Sequence, residues 1–476
     1  MVRSWHLGYA DRDSAVRSVL FTMGFFLSLL YFITYYLTPT LIFGPLAQYR
    51  VELILAVLVV IASIPRLRRS FVRKTPQTLA LIGLTAAVVM SVLIGEQWAG
   101  GGVDALLFFI PSGFAYFLVC LHCDSRKRLQ IIVSMLLFVC LFVIAQGVLD
   151  LRHVVPDSFT AQPETGSLYL LPQGVGKGEW IYRLRGLGEI NDPNDFGQLI
   201  VCVIPLVFIF WRKKRALRNG AFVLLPLSAL LYGAYMTHSR GAMLAILAMA
   251  VVAARRRIGT LPALLLAVGL FVGAMALGFT GGRDVSADAG SDRTALWGTG
   301  LEIFKSHPLF GVGFNNFADY AGLTAHNSLV VCAAELGLFG LYFWTMFLLP
   351  TVRDALVVAS PERVIADAPA GSQNVTSPQA ARKIEVIDKA EINDLGRLMV
   401  LSLTGFLVAG WFLSRSFVTT LFLLGGMAEV VFELGLRRGM VMSRMTLGRV
   451  TLNTLGLAVV LIAVMYGVLR TVHLMR

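Results

Sequence analysis

The chain has 476 residues, of which 57% are hydrophobic and only 14% charged, with a mean hydropathy of +0.73. Counting its 45 glycines as apolar brings the apolar share to roughly two thirds, against roughly 45–50% for soluble domains, so a set of soluble domains is excluded and the chain reads as an integral membrane protein. The net charge of +13 would suggest nucleic acid in a soluble protein, but the basic residues sit in short clusters between apolar runs, where the positive-inside bias and anionic headgroups explain them; no nucleic-acid partner is expected.

In chain order, runs long enough to cross a bilayer lie near 18–37, 51–64, 77–95, 103–120, 130–149, 194–211, 219–237, 241–254, 260–279, 327–350, 396–413, 417–435 and 451–469. The runs 51–64 and 241–254 are short, and one of the last three is a candidate for a re-entrant segment. The expectation is a single all-α polytopic domain of 12–13 transmembrane helices. The first run has no small-residue cleavage site after it and reads as a membrane helix rather than a signal peptide.

Orientation follows from the loops, because lysine and arginine are retained on the cytoplasmic side. The N-terminus to Arg17 and the alternate connections 65–76, 121–129, 212–218, 255–257, 351–397 and 436–449 hold 29 of the 41 basic residues. The N-terminus is therefore expected inside, and the two long loops 150–193 and 280–326 outside. The segment 351–397, rich in Ser, Pro, Ala and mixed charge, reads as a flexible cytoplasmic loop with a short surface helix at 380–389. Its Asn374 sequon lies on the wrong side for glycosylation. The five cysteines lie mostly inside or beside apolar runs; Cys120 and Cys123 have CxxC spacing without a second pair, so they read as small hydrophobes rather than a zinc site. No His, Cys or carboxylate cluster has metal-ligand spacing, and neither a metal nor a cofactor is expected.

Three stretches carry chemistry. In YRLRGLGEINDPNDFGQLI, residues 182–200, Asp192 and Pro193 suit the start of a helix, which leaves Arg183 and Arg185 at the membrane surface, where a guanidinium grips a phosphate by two oxygens. The bland alternative is that they bind headgroups, cap carbonyls or pair with Glu189. Lys177, in GVGKGEW, lacks the strand and the Ser/Thr of a phosphate loop, so no nucleotide site is read there. In MTHSRGAMLA, residues 236–245, Arg240 stands between two runs on a turn next to Gly241, a costly place for a charge without an anion; His238 reads as a structural hydrogen bonder.

The third stretch is residues 290–343. Ser291 or Asp292 is expected to cap a short helix carrying Arg293 and Trp297, Gly311 and Gly313 to form a turn before Asn315 and Asn316, and His326-Asn327 to stand at the threshold of the next membrane helix. A histidine titrating near 6.5 accepts a hydroxyl proton at neutral pH, so His326 is a candidate base; the alternative makes it a helix cap and Glu335 a buried acid paired with an arginine. Outward-facing Arg183 or Arg185, Arg240 and Arg293 together with His326 suggest an anionic ligand with more than one phosphate.

In their order, RLRGLGEINDPNDFG, HSRGAMLA, DRTALW with HPLFGVGFNNF, and HNSLVVCAAELGLFGL resemble the bacterial O-antigen ligase and O-antigen polymerase superfamily over about 180–345. The resemblance implies a membrane glycosyltransferase of the bacterial inner membrane, its site facing the periplasm, that moves a glycan from an undecaprenyl-diphosphate carrier to an acceptor hydroxyl without metal or nucleotide sugar. It implies His326 as the group that activates the acceptor, and Arg185, Arg240 and Arg293 as diphosphate-binding, with Arg183 competing for the place of Arg185. Asn194, Asn315 and Asn327, in the same motifs, are further candidates for donor contact. The expected activity is that of a ligase in lipopolysaccharide biosynthesis, with lipid A-core as acceptor. A polymerase joining carrier-linked units and a transporter or flippase of anionic lipid are the alternatives.

Overall fold

The computed structural model describes residues 22–67, 75–152, 167–176, 179–281, 287–360, 379–440 and 443–474. Lys177, Asn374 and the rest of 361–378, in the expected flexible loop 351–397, lie outside the described residues.

Each of the thirteen apolar runs falls on a helix. In chain order these are α1 (Thr22–Leu37), α2 (Val51–Leu67), α3 (Pro76–Gly95), α4 (Gly101–His122), α5 (Arg126–Leu151), α6 (Pro193–Phe210), α7 (Ala216–Met236), α8 (Arg240–Ile258) and α9 (Thr260–Ala276). After α10 (Ala287–Ser306), in the second long loop, come α11 (Ser328–Ala359), α12 (Gln379–Gly410), α13 (Thr419–Arg437) and α14 (Leu447–Leu474). Nine of these helices, among the described residues, are long and apolar enough to span a membrane, and α1 and α9 are shorter apolar helices. The architecture is that of an all-α polytopic membrane protein.

Two differences from the sequence reading concern helix length. α11 and α12 run into the 351–397 segment, to Ala359 and from Gln379, so the 380–389 helix is the start of α12 and not a separate surface piece. Helix-favouring residues such as Gln379, Ala380, Ala381, Arg382 and Lys383 extend it past what a bilayer requires. α10 starts at Ala287, so Ser291 and Asp292 lie inside that helix and neither caps it.

Aromatic packing marks the centre of the bundle. Phe347 of α11 meets Phe422 of α13 at 5.2 Å between ring centroids and Tyr116 of α4 at 5.6 Å, and Phe109 meets Phe422 at 5.7 Å. All four are buried. α9 and α14, by contrast, present rows of exposed apolar side chains such as Leu261, Leu265, Val268, Leu452 and Val459, as helices facing lipid do.

The connections fall on two faces. On one, Arg126 pairs with Glu391, Arg212 approaches Glu391 at 3.3 Å, and Arg444 bridges Glu429 and Glu433 at 2.5 and 3.0 Å. The other face carries the two long loops. Between α5 and α6 an antiparallel hairpin joins β1 (Leu170–Gly176) to β2 (Glu179–Leu184), with Leu171 opposite Arg183.

The second long loop locks into a break in α11. Gly337 has φ 63°, outside the helical region, and the backbone groups it frees are taken up by the turn after α10. Leu338 and Phe339 N–H donate to the carbonyls of Pro308 and Leu309 at 2.8 and 3.1 Å, while Val312 and Gly313 N–H donate to those of Ala334 and Glu335, both at 3.1 Å. HPLFGVGF and ELGLFG are thus two halves of one backbone exchange. A Cβ on Gly311 would sit 2.3 Å from the Glu335 carbonyl, and one on Gly337 2.4 Å from the Leu309 carbonyl carbon.

Candidate functional site

The site forms where helix starts and loops meet on the long-loop face. Asp192 caps α6, its carboxylate accepting from Asn194 N–H at 2.7 Å, with Pro193 at the first helical position. Ser239 caps α8 by accepting from Ala242 N–H at 3.3 Å, which makes Arg240 the first residue of the helix. The turn expected at Arg240-Gly241 lies one step earlier: His238 takes the positive φ of 48°, and its Nδ1 donates to the Phe279 carbonyl at 3.0 Å. The capping serine starts the helix before Gly241 is reached.

Arg240 and Arg293 line one recess of about 30 Å³, together with Asn194, Ser239, Gly241, Phe412 and Leu413. The capped starts of α6 and α8 border this recess through Asn194, Ser239 and Arg240, and the positive potential of a helix N-terminus is partly offset at α6 by the Asp192 carboxylate. Burial, and next the neighbouring Arg240, lower the pKa of Arg293, which stays charged at neutral pH. Among the described residues Arg293 has no ion-pair partner. Two cations held side by side in a half-buried setting are stabilised when an anion bridges them.

Of the two loop arginines, Arg183 is the one that stands close to Arg240, and it is already committed. Its Nε donates to the Thr237 carbonyl, one terminal nitrogen to Gln173 and the other to Asn194, each at 2.9 Å. Burial, opposed by Asp192 and reinforced by Arg240, brings its pKa down to about 10. Arg183 therefore ties the hairpin to the starts of α6 and α8 and orients Asn194. Arg185 does not line the recess; its backbone N–H extends the hairpin to Tyr169 at 2.9 Å and its Nε is buried without a hydrogen-bond partner.

His326 stands just before α11 with φ 49°, half-buried. The cap of that helix is Asn327, whose side chain accepts from Leu329 and Val330 N–H at 2.9 and 3.1 Å and donates to the Trp411 carbonyl at 3.1 Å. Asn327 is fully buried, and it rather than His326 is the cap of α11. Among the described residues no hydrogen bond engages the His326 ring, and its environment is set by Arg293 and Asp192. Burial first and Arg293 second push its pKa below 6.5, with Asp192 opposing.

The other side of His326 is formed by the turn 411–418 between α12 and α13. Ser414 accepts from His326 N–H at 2.9 Å, Ser328 donates to the Leu413 carbonyl at 2.7 Å, and Arg415 N–H donates to Ser328 at 3.0 Å. Trp297 of α10 packs edge-on against Trp411 at 5.9 Å and donates to the Ala325 carbonyl at 2.9 Å. Phe412 and Leu413 face the arginine recess, while Ser414 and Arg415 face a second, far larger cavity of about 930 Å³. Asn315 lines that cavity and not the recess.

Arg415 and this cavity are absent from the sequence reading, in which the SRSF stretch is merely the gap between two apolar runs. Arg415 makes a two-pronged ion pair with Asp195, its Nε 2.6 Å from Oδ1. Glu189 accepts from Thr419 N–H at 2.8 Å, and among the described residues it forms no ion pair with Arg183 or Arg185. Among the described residues Glu335 has no arginine partner either: its carboxylate accepts from Phe317 N–H at 3.3 Å and supports the turn that crosses the α11 break.

Residues 225–345 match the family model described as O-antigen ligase. The match takes in Arg240, Arg293 and His326 and ends before the turn 411–418. A comparison with curated proteins finds no match. The chain is a multi-pass membrane protein, and the family that its 225–345 segment matches is one of glycan ligase or polymerase type.

Proposed function

We propose that the chain is an O-antigen ligase-like glycosyltransferase that moves a glycan from an undecaprenyl-diphosphate carrier to an acceptor hydroxyl, such as one of lipid A-core, on the periplasmic face of the bacterial inner membrane. The observation that carries this reading is the pairing of Arg240 and Arg293 in one recess beside a ring, His326, that the fold leaves unengaged among the described residues.

The chemistry needs two things. The bond from the anomeric carbon to the diphosphate oxygen must break, and charge then gathers on the leaving diphosphate; Arg240, Arg293 and the helix starts are placed to bear it in a setting of low dielectric. The acceptor hydroxyl must lose a proton as its oxygen attacks the same carbon, and His326 takes it. Attack opposite the leaving group in one step inverts the anomeric configuration. Arg183 contributes by fixing Asn194 and the helix starts, a positioning role that leaves its guanidinium unavailable for donor. The carrier's lipid stays in the bilayer while its diphosphate reaches the recess from the loop face.

The test is reconstitution of the purified chain in vesicles with a carrier-linked glycan and alternative acceptors, the product being read by mass. A glycosylated lipid A-core is expected from donor and acceptor alone, with chelator present and nucleotide sugar absent. Extension of a carrier-linked acceptor instead would make the chain a polymerase. Movement of the carrier between leaflets with no new glycosidic bond would overturn the reading in favour of a transporter.

A further inference from the structure

On the face opposite the two long loops, the connection between α6 and α7 is a short basic loop, residues 211–219, with a fixed base and a bare tip. Buried Asn219 closes it: its side-chain oxygen accepts from Arg212 N–H at 2.9 Å and its amide donates to the Arg212 carbonyl at 2.7 Å. Arg212 approaches Glu391 of α12 at 3.3 Å. Arg126 of α5, also paired with Glu391, donates to the Ile209 carbonyl at 3.4 Å, where Gln130 joins it at 3.3 Å. Four helices, α5, α6, α7 and α12, thus meet at the base of the loop, and the acid found there is already matched by two arginines.

Beyond that base Lys213, Lys214, Arg215 and Arg218 are exposed, and among the described residues none of their side chains has an ion pair or hydrogen bond. Lys214 takes a positive φ of 61°, which turns the chain back at the tip. Four cations within six residues repel one another unless an anion lies among them. Apolar side chains are interleaved with the charges. Leu217, between Arg215 and Arg218, is 94% exposed, and Phe208, Trp211, Phe222 and Leu225 around the loop are exposed as well. Phe208 and Trp211 lie against each other at 6.3 Å, and Phe222 follows Arg218 by about one turn of α7. A soluble polyanion would match the charges and leave these apolar groups in water; a lipid matches both, and tryptophan at a helix end is usual where bilayer meets water.

We propose that the 211–219 loop is a binding site for an anionic phospholipid in the leaflet opposite the transfer site, its phosphate held by Lys213, Lys214, Arg215 and Arg218 and its acyl chains lying along Trp211, Leu217 and Phe222. The two arginines grip phosphate through paired hydrogen bonds, and the two lysines add ammonium donors. Because Asn219 and the Arg212–Glu391 contact already fix the loop, binding costs little further ordering. This goes beyond the positive-inside bias, which needs basic residues on that side but no framework and no apolar flank. Arg255 and Arg257 at the end of α8 supply the contrast: they are exposed and basic, and they stand on a plain helix end.

The experiment is photo-crosslinking of the full chain in phosphatidylcholine nanodiscs, read by peptide mass. The probe is phosphatidylglycerol with a diazirine in one acyl chain, compared with phosphatidylcholine bearing the same group. The phosphatidylglycerol probe should label residues 208–211 and 217–225 saturably and roughly tenfold in preference to the phosphatidylcholine probe. Arg215→Gln with Arg218→Gln should weaken that labelling roughly tenfold, whereas Arg255→Gln with Arg257→Gln, an equal loss of charge, should leave it within about twofold. Leu217→Ser, which alters no charge, should weaken it roughly threefold. Equal labelling by the two probes, or equal loss in the two charge variants, would overturn the assignment in favour of diffuse charge. Displacement of the probe by the deacylated headgroup, glycerophosphoglycerol, as readily as by intact phosphatidylglycerol would also overturn it, making the loop a site for soluble anions. Every readout is of binding, so none depends on glycan transfer.

Discussion

Arg240 and Arg293 are worth more to the site than two positive charges, because a guanidinium holds phosphate by two parallel hydrogen bonds and an ammonium does not. Arg240→Lys and Arg293→Lys should each weaken carrier-diphosphate binding roughly tenfold or more, with the thermal midpoint of the folded chain unchanged. Unaltered affinity in both variants would contradict the assignment of the recess. The pH dependence of transfer is a second residue-scale test. A base works only when deprotonated, and burial with Arg293 lowers the His326 pKa below 6.5, so transfer should rise with pH and level off with a midpoint below that value. Asp192 pulls the other way. Asp192→Asn, which keeps the cap on α6, should therefore move the midpoint further down, and Arg293→Gln should move it up. A profile flat from pH 5 to 8 in all three proteins would remove His326 from the proton path.

At the scale of elements, the site depends on the exchange between the 308–313 turn and the break in α11. Four backbone hydrogen bonds cross it, and it fixes the height at which His326 and Glu335 meet the loop face. Gly337→Ala places a methyl group 2.4 Å from the Leu309 carbonyl carbon at a positive φ, so backbone strain and collision add. The expected result is a clear drop in thermal midpoint together with loss of donor binding; a midpoint equal to wild type would show that the exchange is not structural. This is also where the sequence was least legible. The helices could be read from run length, and the start of α6 from Asp192-Pro193, because those signals are local. That ELGLFG breaks to receive HPLFGVGF is a long-range pairing of backbone groups, invisible to hydropathy. Arg415 was missed for a related reason: its partner Asp195 lies far away in the chain, on α6. The hairpin 170–184 went unread because two short strands joined through glycines lack the length of a membrane run. Arg183 and Arg185, equivalent as letters, part company only when Thr237, Gln173 and Asn194 close around the first.

For the whole molecule, the separation of basic clusters onto one set of connections is the basis of the proposed orientation, in which the loops bearing the site face outward. The contacts agree in grouping: the hairpin, α10 and the turn 411–418 share one face, and the Glu391 and Arg444 ion pairs share the other. With native cysteines buried, single cysteines introduced at Ser167 and Tyr320 should react with an impermeant maleimide in intact cells, and one at Arg215 only after lysis. Reaction at Arg215 in intact cells would invert the orientation.

In the proposed mechanism the work is divided, binding of the diphosphate and removal of the acceptor proton belonging to different residues. This division is tested most directly by measuring donor affinity and single-turnover transfer side by side on His326→Asn, which retains hydrogen bonding without a base near neutral pH. Donor affinity should stay within about twofold of wild type, and transfer should be slower by roughly 10²–10⁴, the usual contribution of a general base. Normal transfer with normal donor affinity in the folded variant would contradict it.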